Sequence, residues 1–291
     1  MDLGFFPTLT FENRKRNAKE LAEIALVIRR DIINSLVLAK SGHSGGPLGI
    51  SDFMASLFFG GYMKYNPQDA TWAERDRFVF SAGHYCPVQY SCLARAGYFP
   101  VEELATLRKF GSRLQGHPGR EVKLPGIETS SGSLGQGISI AVGMAISDNL
   151  IDKNNRKVFA VTGDGELQEG SCWEAAMSAA QFKLDNLCWI VDNNDCQIDG
   201  RVRDVMSIYP IAQKFEAFGF DAITIDGHNF EQIFEALDMF VSNHANKIRK
   251  PTVIILQTKM GRGVSFMEDN YEWHGKPPTP AEAEIALEQL I

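Results

Sequence analysis

The stretch that decides the fold runs from Lys157 to Gly200 and reads KVFAVTGDGELQEGSCWEAAMSAAQFKLDNLCWIVDNNDCQIDG. Its opening run, Val158 to Thr162, is short, apolar and rich in β-branched residues, which is typical of a strand buried on both faces of a parallel sheet. After the glycine turn, apolar residues at spacings of three and four predict a helix lying on the sheet. Leu187 to Val191 is predicted to be the next strand. The stretch therefore indicates two parallel strands joined by a helix.

Two polar side chains come directly after these predicted strands. Asp164 lies in Gly163-Asp164-Gly165, and Asn194 follows the second strand. Crossover connections are right-handed almost without exception, so both strands should end at the same edge of the sheet, where open α/β sheets bind ligands. The Asp164 carboxylate, the Asn194 amide oxygen and the backbone carbonyl of Cys196 are hard oxygen donors that suit Mg²⁺. The alternative is an Asp-capped helix start and an ordinary Asn turn.

The rest of the chain continues the alternation of strands and helices. A long helix is predicted from Glu12 to Lys40, and further buried strands at Arg77 to Phe80, Ala222 to Ile225 and Thr252 to Leu256. Together these segments predict an α/β fold, a three-layer parallel sheet with helices on both faces. Without a linker or repeat, residues 1–291 are expected to form a single domain, with 1–17 as an N-terminal arm.

Composition excludes several classes of function. The formal net charge is -7 and no long stretch is dominated by Lys or Arg, which argues against nucleic-acid and anionic-membrane partners. No apolar run reaches the roughly 18 residues that a membrane span needs. Met1 to Thr10 lack the features of a signal peptide, and the five cysteines show no paired pattern or metal-site spacing. A cytoplasmic location with reduced thiols is the expectation.

Four histidines occupy predicted loops or turns, three of which are rich in small residues. They are His43, His84, His117 and His274, all candidate functional residues; the alternatives are an accidental position for His43 and a helix N-terminal residue without a partner for His84. The glycine-rich segment 132–137 opens a helix, so it could hold an anion or merely allow close helix packing. His228 is expected to cap or brace a turn.

Taken in chain order, these motifs resemble the N-terminal, diphosphate-binding half of the transketolase family. The similarity covers the chain from about Ala18 to Thr279. It rests on the motifs Gly42-His43-Ser44-Gly45-Gly46-Pro47-Leu48-Gly49, Ser81-Ala82-Gly83-His84, Gly116-His117-Pro118, Gly132-Ser133-Leu134-Gly135-Gln136-Gly137, Gly163-Asp164-Gly165-Glu166-Leu167-Gln168-Glu169-Gly170 and Asp192-Asn193-Asn194.

The resemblance implies a site for thiamine diphosphate and Mg²⁺. Asp164, Asn194 and the carbonyl of Cys196 would hold the metal ion. The cofactor would be bound by His84, Gly163, Gly165 and His274 around the diphosphate and by the backbone of Gly132, Ser133 and Leu134 around the thiamine.

The resemblance also implies catalytic roles. His43 and His117 would line the sugar site, and His274 would relay protons to a substrate oxygen, which suits an imidazole because its usual pKa lies near 6.5. Glu169 would lie at a dimer interface near the aminopyrimidine. The sequence departs from full-length family members at Ser133, where Pro is usual, and at Cys196, where Ile is usual; the Ser form looks like the two-chain members.

The family's activating glutamate and most of its sugar-phosphate ligands belong to a following domain, and the sequence ends at Ile291 before any such segment. The resemblance therefore implies the cofactor-binding subunit of a split transketolase. It would transfer a two-carbon ketol unit from a ketose, expected to be phosphorylated, to an aldose. A second chain would carry the pyrimidine-binding and C-terminal domains in an α2β2 heterotetramer.

Two other functions stay open at this point. One is the α-type component of a 2-oxo-acid dehydrogenase or decarboxylase, which uses the same cofactor; the four histidines disfavour it because they suit a polyhydroxylated substrate. The other is a non-catalytic cofactor-binding homologue, against which the intact metal and histidine positions argue.

Overall fold

A five-stranded parallel sheet forms the centre of the protein in a computed structural model that describes residues 9–291. The strands, in chain order, are β1 (Arg77–Phe80), β2 (Val158–Gly163), β3 (Leu187–Asn193), β4 (Asp221–Asp226) and β5 (Thr252–Gln257). In space their order is β1-β2-β3-β5-β4, and every neighbouring pair is parallel. The carboxyl ends of all five strands therefore share one edge of the sheet.

Helices cover both faces of this sheet. In the described part of the chain, the eight longer ones are α1 (Ala18–Ala39), α2 (Ser51–Phe59), α3 (Cys86–Arg95), α4 (Gln136–Ile146), α5 (Gly170–Gln181), α6 (Ile211–Phe218), α7 (Phe230–Ala245) and α8 (Pro280–Gln289). Shorter helical segments span Gly45–Gly49 and Val202–Val205, and a two-stranded hairpin joins Cys196–Gln197 to Gly200–Arg201.

Alternating residues of the strands enter two separate cores. Ile190 packs with the residues of α1, α2, α3 and α7, whereas its neighbours Trp189 and Val191 pack with those of α4, α5 and α6. This alternation follows from strand geometry, in which successive side chains point to opposite faces. Because both faces are covered, β2 and β3 are apolar along most of their length, as the sequence indicated. The predicted three-layer α/β fold is confirmed.

The first helix begins later than its apolar pattern predicted. It begins at Ala18, not at Glu12, because the Asn17 side chain accepts a hydrogen bond from the Glu20 N–H while the Glu20 carboxylate accepts one from the Asn17 N–H. Residues 1–8 of the predicted arm lie outside the described residues. In the described remainder, the Phe11 N–H donates to the Arg95 carbonyl at 2.7 Å, which joins the arm to α3.

No helix within residues 9–291 combines the length and apolar character needed to cross a membrane. The five cysteines, all within this range, are buried and unpaired.

Candidate functional site

Asp164 and Asn194 meet where β2 and β3 end. The Asp164 carboxylate is 2% exposed and accepts hydrogen bonds from the N–H groups of Gly165 at 2.8 Å and Asp195 at 2.6 Å. The Asn194 side-chain oxygen accepts from the Cys196 N–H at 2.9 Å. Asp195 has a positive φ of 58°, which turns the backbone after β3 back towards Asp164. The strand ends thus bring together two residues that the sequence predicted at one edge.

The electrostatics of this edge favour a cation. Burial, followed by the negative charge of Asp192, raises the pKa of the Asp164 carboxyl well above its ordinary value. Burial likewise raises the pKa of Asp192. In residues 9–291 neither carboxyl has an ion pair with Lys or Arg. A metal ion bound at Asp164 would offset this uncompensated charge, so the residues present fit Mg²⁺.

The candidate metal ligands at this edge are not a cluster of carboxylate, thiol and imidazole groups. No group of three or more His, Cys, Asp or Glu in the described part of the chain could hold a metal ion. The predicted set has a single carboxylate, with an amide oxygen and a backbone carbonyl beside it. Burial raises the pKa of the Cys196 thiol to about 11, so this side chain stays protonated near neutral pH and leaves the carbonyl as the donor.

A cavity of about 240 Å³ opens beside Asp164. Eight of the predicted site residues line it: His84, Leu134, Gly163, Asp164, Gly165, Glu169, Cys196 and His274. They come from the loops after β1, β2, β3 and β5 and from the loop before α4. The sheet edge therefore collects residues that lie far apart in the sequence into one concave site.

The four candidate histidines form a cluster, and two of them, His84 and His274, line this cavity. The ring centroid of His43 lies 4.9 Å from that of His84, 5.8 Å from that of His274 and 6.3 Å from that of His117. The rings of His84 and His274 are 5.1 Å apart. Four loops thus bring their imidazole rings together.

All four imidazoles are held neutral. Burial lowers the pKa of His43 to about 4 and that of His84 well below its usual value, and neighbouring histidines add to both effects. Burial also lowers the pKa of His117 and His274. The buried Nδ1 atoms of His43 and His274 have no hydrogen-bond partner. A ligand bearing hydroxyl or phosphate oxygens would satisfy such atoms, because neutral imidazole can both donate and accept.

Glycines let the loop before α4 approach the other loops closely. A Cβ at Gly83 would lie 2.6 Å from the Gly132 nitrogen, and a Cβ at Gly132 would lie 3.0 Å from Cγ of His117. Gly132 also has a φ of 142°, which favours glycine. Leu134 reaches the cavity, whereas Ser133 is exposed. Glu169 is exposed as well and stands at the start of α5, with its Cβ close to Gly135.

Glu166 is a member of the site that the sequence did not single out. Its carboxyl group is buried and accepts hydrogen bonds from the Ser81 hydroxyl, from the Gly135 N–H at 2.8 Å and from the Gly163 N–H at 3.3 Å. Burial raises its pKa to about 7. In the sequence, only its position directly after Gly165 indicated that Glu166 belongs to the site. Its role could not be predicted, because its partners Ser81 and Gly135 lie in two other loops.

His228 lies outside the cluster and braces a turn, as expected. Its Nδ1 is 2.8 Å from the Asp52 carboxylate, which Arg29 also binds, and its Nε2 accepts from the Lys259 N–H at 2.8 Å. The ring therefore joins α2 to the segment after β5.

Residues 19–290 match the family model described as transketolase, thiamine diphosphate binding domain. Among curated proteins, the chain is 40% identical over 274 residues to an apulose-4-phosphate transketolase subunit of Actinobacillus succinogenes, covering 93% of this chain and 96% of that one. It is 38% identical over 271 residues to a 6-deoxy-6-sulfo-D-fructose transketolase subunit of a Clostridium species, with 93% and 96% covered.

The fold is also similar to that of solved transketolases. The crystal structure of the Campylobacter jejuni enzyme superposes with a TM-score of 0.86 at 35% identity, over 94% of this chain and 43% of that one. The chain thus spans less than half of that full-length transketolase. The family predicted from the sequence motifs is confirmed, and so is the prediction of a thiamine-diphosphate-binding transferase subunit. The chain belongs to the transketolase family, as a thiamine diphosphate binding domain.

Proposed function

We propose that this chain is the cofactor-binding subunit of a two-chain transketolase. It moves a two-carbon ketol unit from a phosphorylated or similarly anionic ketose to an aldose, using thiamine diphosphate and Mg²⁺. The observation that carries the proposal is the cluster of His43, His84, His117 and His274 beside Asp164, because it joins a metal-diphosphate edge to a site for a polyhydroxylated substrate. Two relatives of matching length are named as transketolase subunits, which supports a divided enzyme.

Each part of the site has a task in this proposal. Asp164, Asn194 and the Cys196 carbonyl hold Mg²⁺, which neutralises the diphosphate. Gly163, Gly165, His84 and His274, which line the cavity, would hold the diphosphate. The backbone of the loop 132–134 contacts the thiamine. When bound, thiamine diphosphate supplies a nucleophilic carbon and an electron sink that no side chain provides.

The histidines bind the sugar and hold its protons. His43 and His117 donate to or accept from hydroxyl and carbonyl oxygens near the reacting carbon. His274 takes a proton from a substrate hydroxyl and returns it. Because their pKa values are lowered, these rings are neutral near pH 7, and each can accept as well as donate a hydrogen bond.

A second polypeptide completes the site. In the proposal it carries the pyrimidine-binding and C-terminal domains and the activating glutamate, and two copies of each chain form a heterotetramer. Glu169 is exposed at the rim of the cavity, where it could contact the second chain. Apolar side chains on α4 and α5 are also exposed, Ile140 to 39% and Met177 to 52%. Such residues suit an obligate interface.

Two further expectations belong to this proposal. One is that residues 1–291 form one domain, which is supported by the single sheet that the two cores of residues 9–291 share. The enzyme acts in the cytoplasm, which the unpaired cysteines favour.

The test is to purify the chain alone and together with the second polypeptide. Ketol transfer is assayed with phosphorylated ketoses, and mass is determined by light scattering. We expect turnover only from the mixture and a mass equal to two copies of each chain. Full turnover by the 291-residue chain alone would contradict the divided enzyme. Decarboxylation of a 2-oxo acid without ketol transfer would favour the dehydrogenase-type alternative.

A further inference from the structure

The side chain of Asn194 is held in one orientation by hydrogen bonds of fixed polarity. Its Nδ2 group donates to Oδ2 of Asp192 at 2.8 Å and to the Tyr85 hydroxyl at 3.0 Å. Its Oδ1 accepts from the Cys196 N–H at 2.9 Å. A carboxylate can only accept and a backbone N–H can only donate, so reversing the amide would oppose like groups at both ends. The amide oxygen therefore stays on the Cys196 side.

Asp192 is itself fixed by two hydroxyl groups. The Tyr85 hydroxyl donates to Oδ2 at 2.5 Å, and the Thr258 hydroxyl donates to Oδ1. Asp192 is fully buried, while Tyr85 and Asn194 are 1% and 3% exposed. No water can take the place of these partners without opening the core, so the network has one arrangement.

The network also joins several loops of the site. Tyr85 follows His84 in the loop after β1, Asp192 and Asn194 are at the end of β3, and Thr258 follows β5. Tyr85 packs so closely on the segment after His43 that a Cβ at Gly46 would lie 2.2 Å from its ring. The orientation of Asn194 is thus tied to the loops that carry two of the clustered histidines.

We propose that Asp192 and Tyr85 are positioning residues that keep the amide oxygen of Asn194, and not its NH₂ group, available to the metal ion. Neither residue touches the ion. Their effect passes through Asn194, since an NH₂ group in the place of the oxygen would repel a cation. The inference rests on the proposed Mg²⁺ site, and its experiment separates the two.

The test measures metal affinity directly in the full chain. Mn²⁺ serves as a paramagnetic substitute for Mg²⁺, and free Mn²⁺ is followed by electron paramagnetic resonance in the presence of thiamine diphosphate. Tyr85→Phe and Asp192→Asn should each weaken Mn²⁺ binding by about tenfold to a hundredfold, the usual effect of removing a partner of a metal ligand. Tyr65→Phe is the control, because it also removes one tyrosine hydroxyl, partly buried and bonded to the Phe58 carbonyl, away from the site. It should bind Mn²⁺ like the wild type.

A double variant distinguishes positioning from general damage. Asp192→Asn combined with Asn194→Asp exchanges donor and acceptor: the new amide at position 192 donates to the new carboxylate at position 194, which presents an oxygen to the metal. We expect Mn²⁺ affinity to recover to within about threefold of the wild type, and a purely structural role for Asp192 would give no such recovery. Thermal unfolding without metal is recorded for every variant.

The outcomes separate the inference from the metal site on which it rests. Wild-type affinity in both Tyr85→Phe and Asp192→Asn, with binding lost in Asp164→Ala, would overturn the inference and leave the metal site standing. A double variant as weak as Asp192→Asn would also overturn it. A wild-type chain that binds no Mn²⁺ would remove both.

Discussion

The imidazole rings of His43 and His274 lie with their centroids 5.8 Å apart and their planes at 86°, although they come from opposite ends of the chain. Both rings have a buried Nδ1 atom without a hydrogen-bond partner. Buried polar atoms without a partner cost stability unless a ligand binds them. The fold therefore forms this part of the binding site before any ligand is bound. The roles of the neighbouring residues can be tested by single substitutions.

The first prediction concerns the metal ligand Asp164. Asp164→Ala should weaken binding of thiamine diphosphate in the presence of Mg²⁺ by at least about tenfold, or about 1.4 kcal/mol, because metal and diphosphate anchor each other. Calorimetric titration of the assembled enzyme measures this affinity. Asp204→Ala, an exposed aspartate in the short helix after the hairpin, is the control. Unchanged cofactor affinity in Asp164→Ala would reject the metal assignment.

The second prediction separates substrate binding from cofactor binding at His117. Its ring is exposed at the rim of the cluster, 6.3 Å from that of His43. His117→Ala should lower kcat/KM for the donor ketose by about tenfold to a thousandfold, which is roughly 1.4 to 4 kcal/mol of lost transition-state stabilisation. Cofactor affinity should hardly change. A fall in cofactor affinity with normal donor kinetics would show that His117 binds the cofactor and not the donor sugar.

The third prediction is a dependence of stability on pH. Because folding lowers the pKa of His43 from 6.5 to about 4, the unfolded chain binds a proton at this residue that the folded chain does not. The contribution of His43 to stability is thus present above pH 6.5 and is lost as the pH falls towards 4. His84, His117 and His274 act in the same direction.

Urea unfolding of the cofactor-free chain at pH 7 and pH 5 measures this effect. We expect the change from pH 7 to pH 5 to lower the free energy of unfolding more in the wild type than in His43→Gln. The raised pKa values of Asp164, Glu166 and Asp192 act in the opposite direction, but they do so equally in both proteins. His228→Gln, outside the cluster, controls for the loss of an imidazole. An equal decrease in His43→Gln and the wild type would contradict the prediction.

The fourth prediction concerns the carboxyl group that ties three loops together. The Glu166 carboxyl group accepts hydrogen bonds from Ser81, Gly135 and Gly163. In Glu166→Gln the new NH₂ group faces at least one of these donors and cannot accept its hydrogen bond. One unsatisfied buried donor should cost about 1 to 3 kcal/mol of unfolding free energy. It should also weaken thiamine diphosphate binding, since Gly135 and Gly163 belong to the loops around the cofactor. Chemical denaturation and calorimetry check both effects. The exposed Glu216→Gln, on α6, should change neither.

The sequence by itself determined the layered fold and the edge at which the site lies. Buried parallel strands are continuous apolar runs, so β2 and β3 could be identified locally, and right-handed crossovers then place the residues after them, Asp164 and Asn194, at one edge. The apolar pattern did not decide where the first helix begins. A hydrophobic stripe reports a buried face, whereas the reciprocal bonds of Asn17 and Glu20 start the helix at Ala18.

Only the tertiary structure decided how the side chains of the site face one another. The partners of Glu166 lie in the loops of Ser81 and Gly135, and the orientation of Asn194 depends on the hydroxyl of Tyr85. Such contacts join segments that lie far apart in the sequence, so no local hydrophobic pattern predicts them. They depend on which strands are neighbours in the sheet. The sequence supplies the donors and acceptors, and the order of strands in the sheet determines which of them meet.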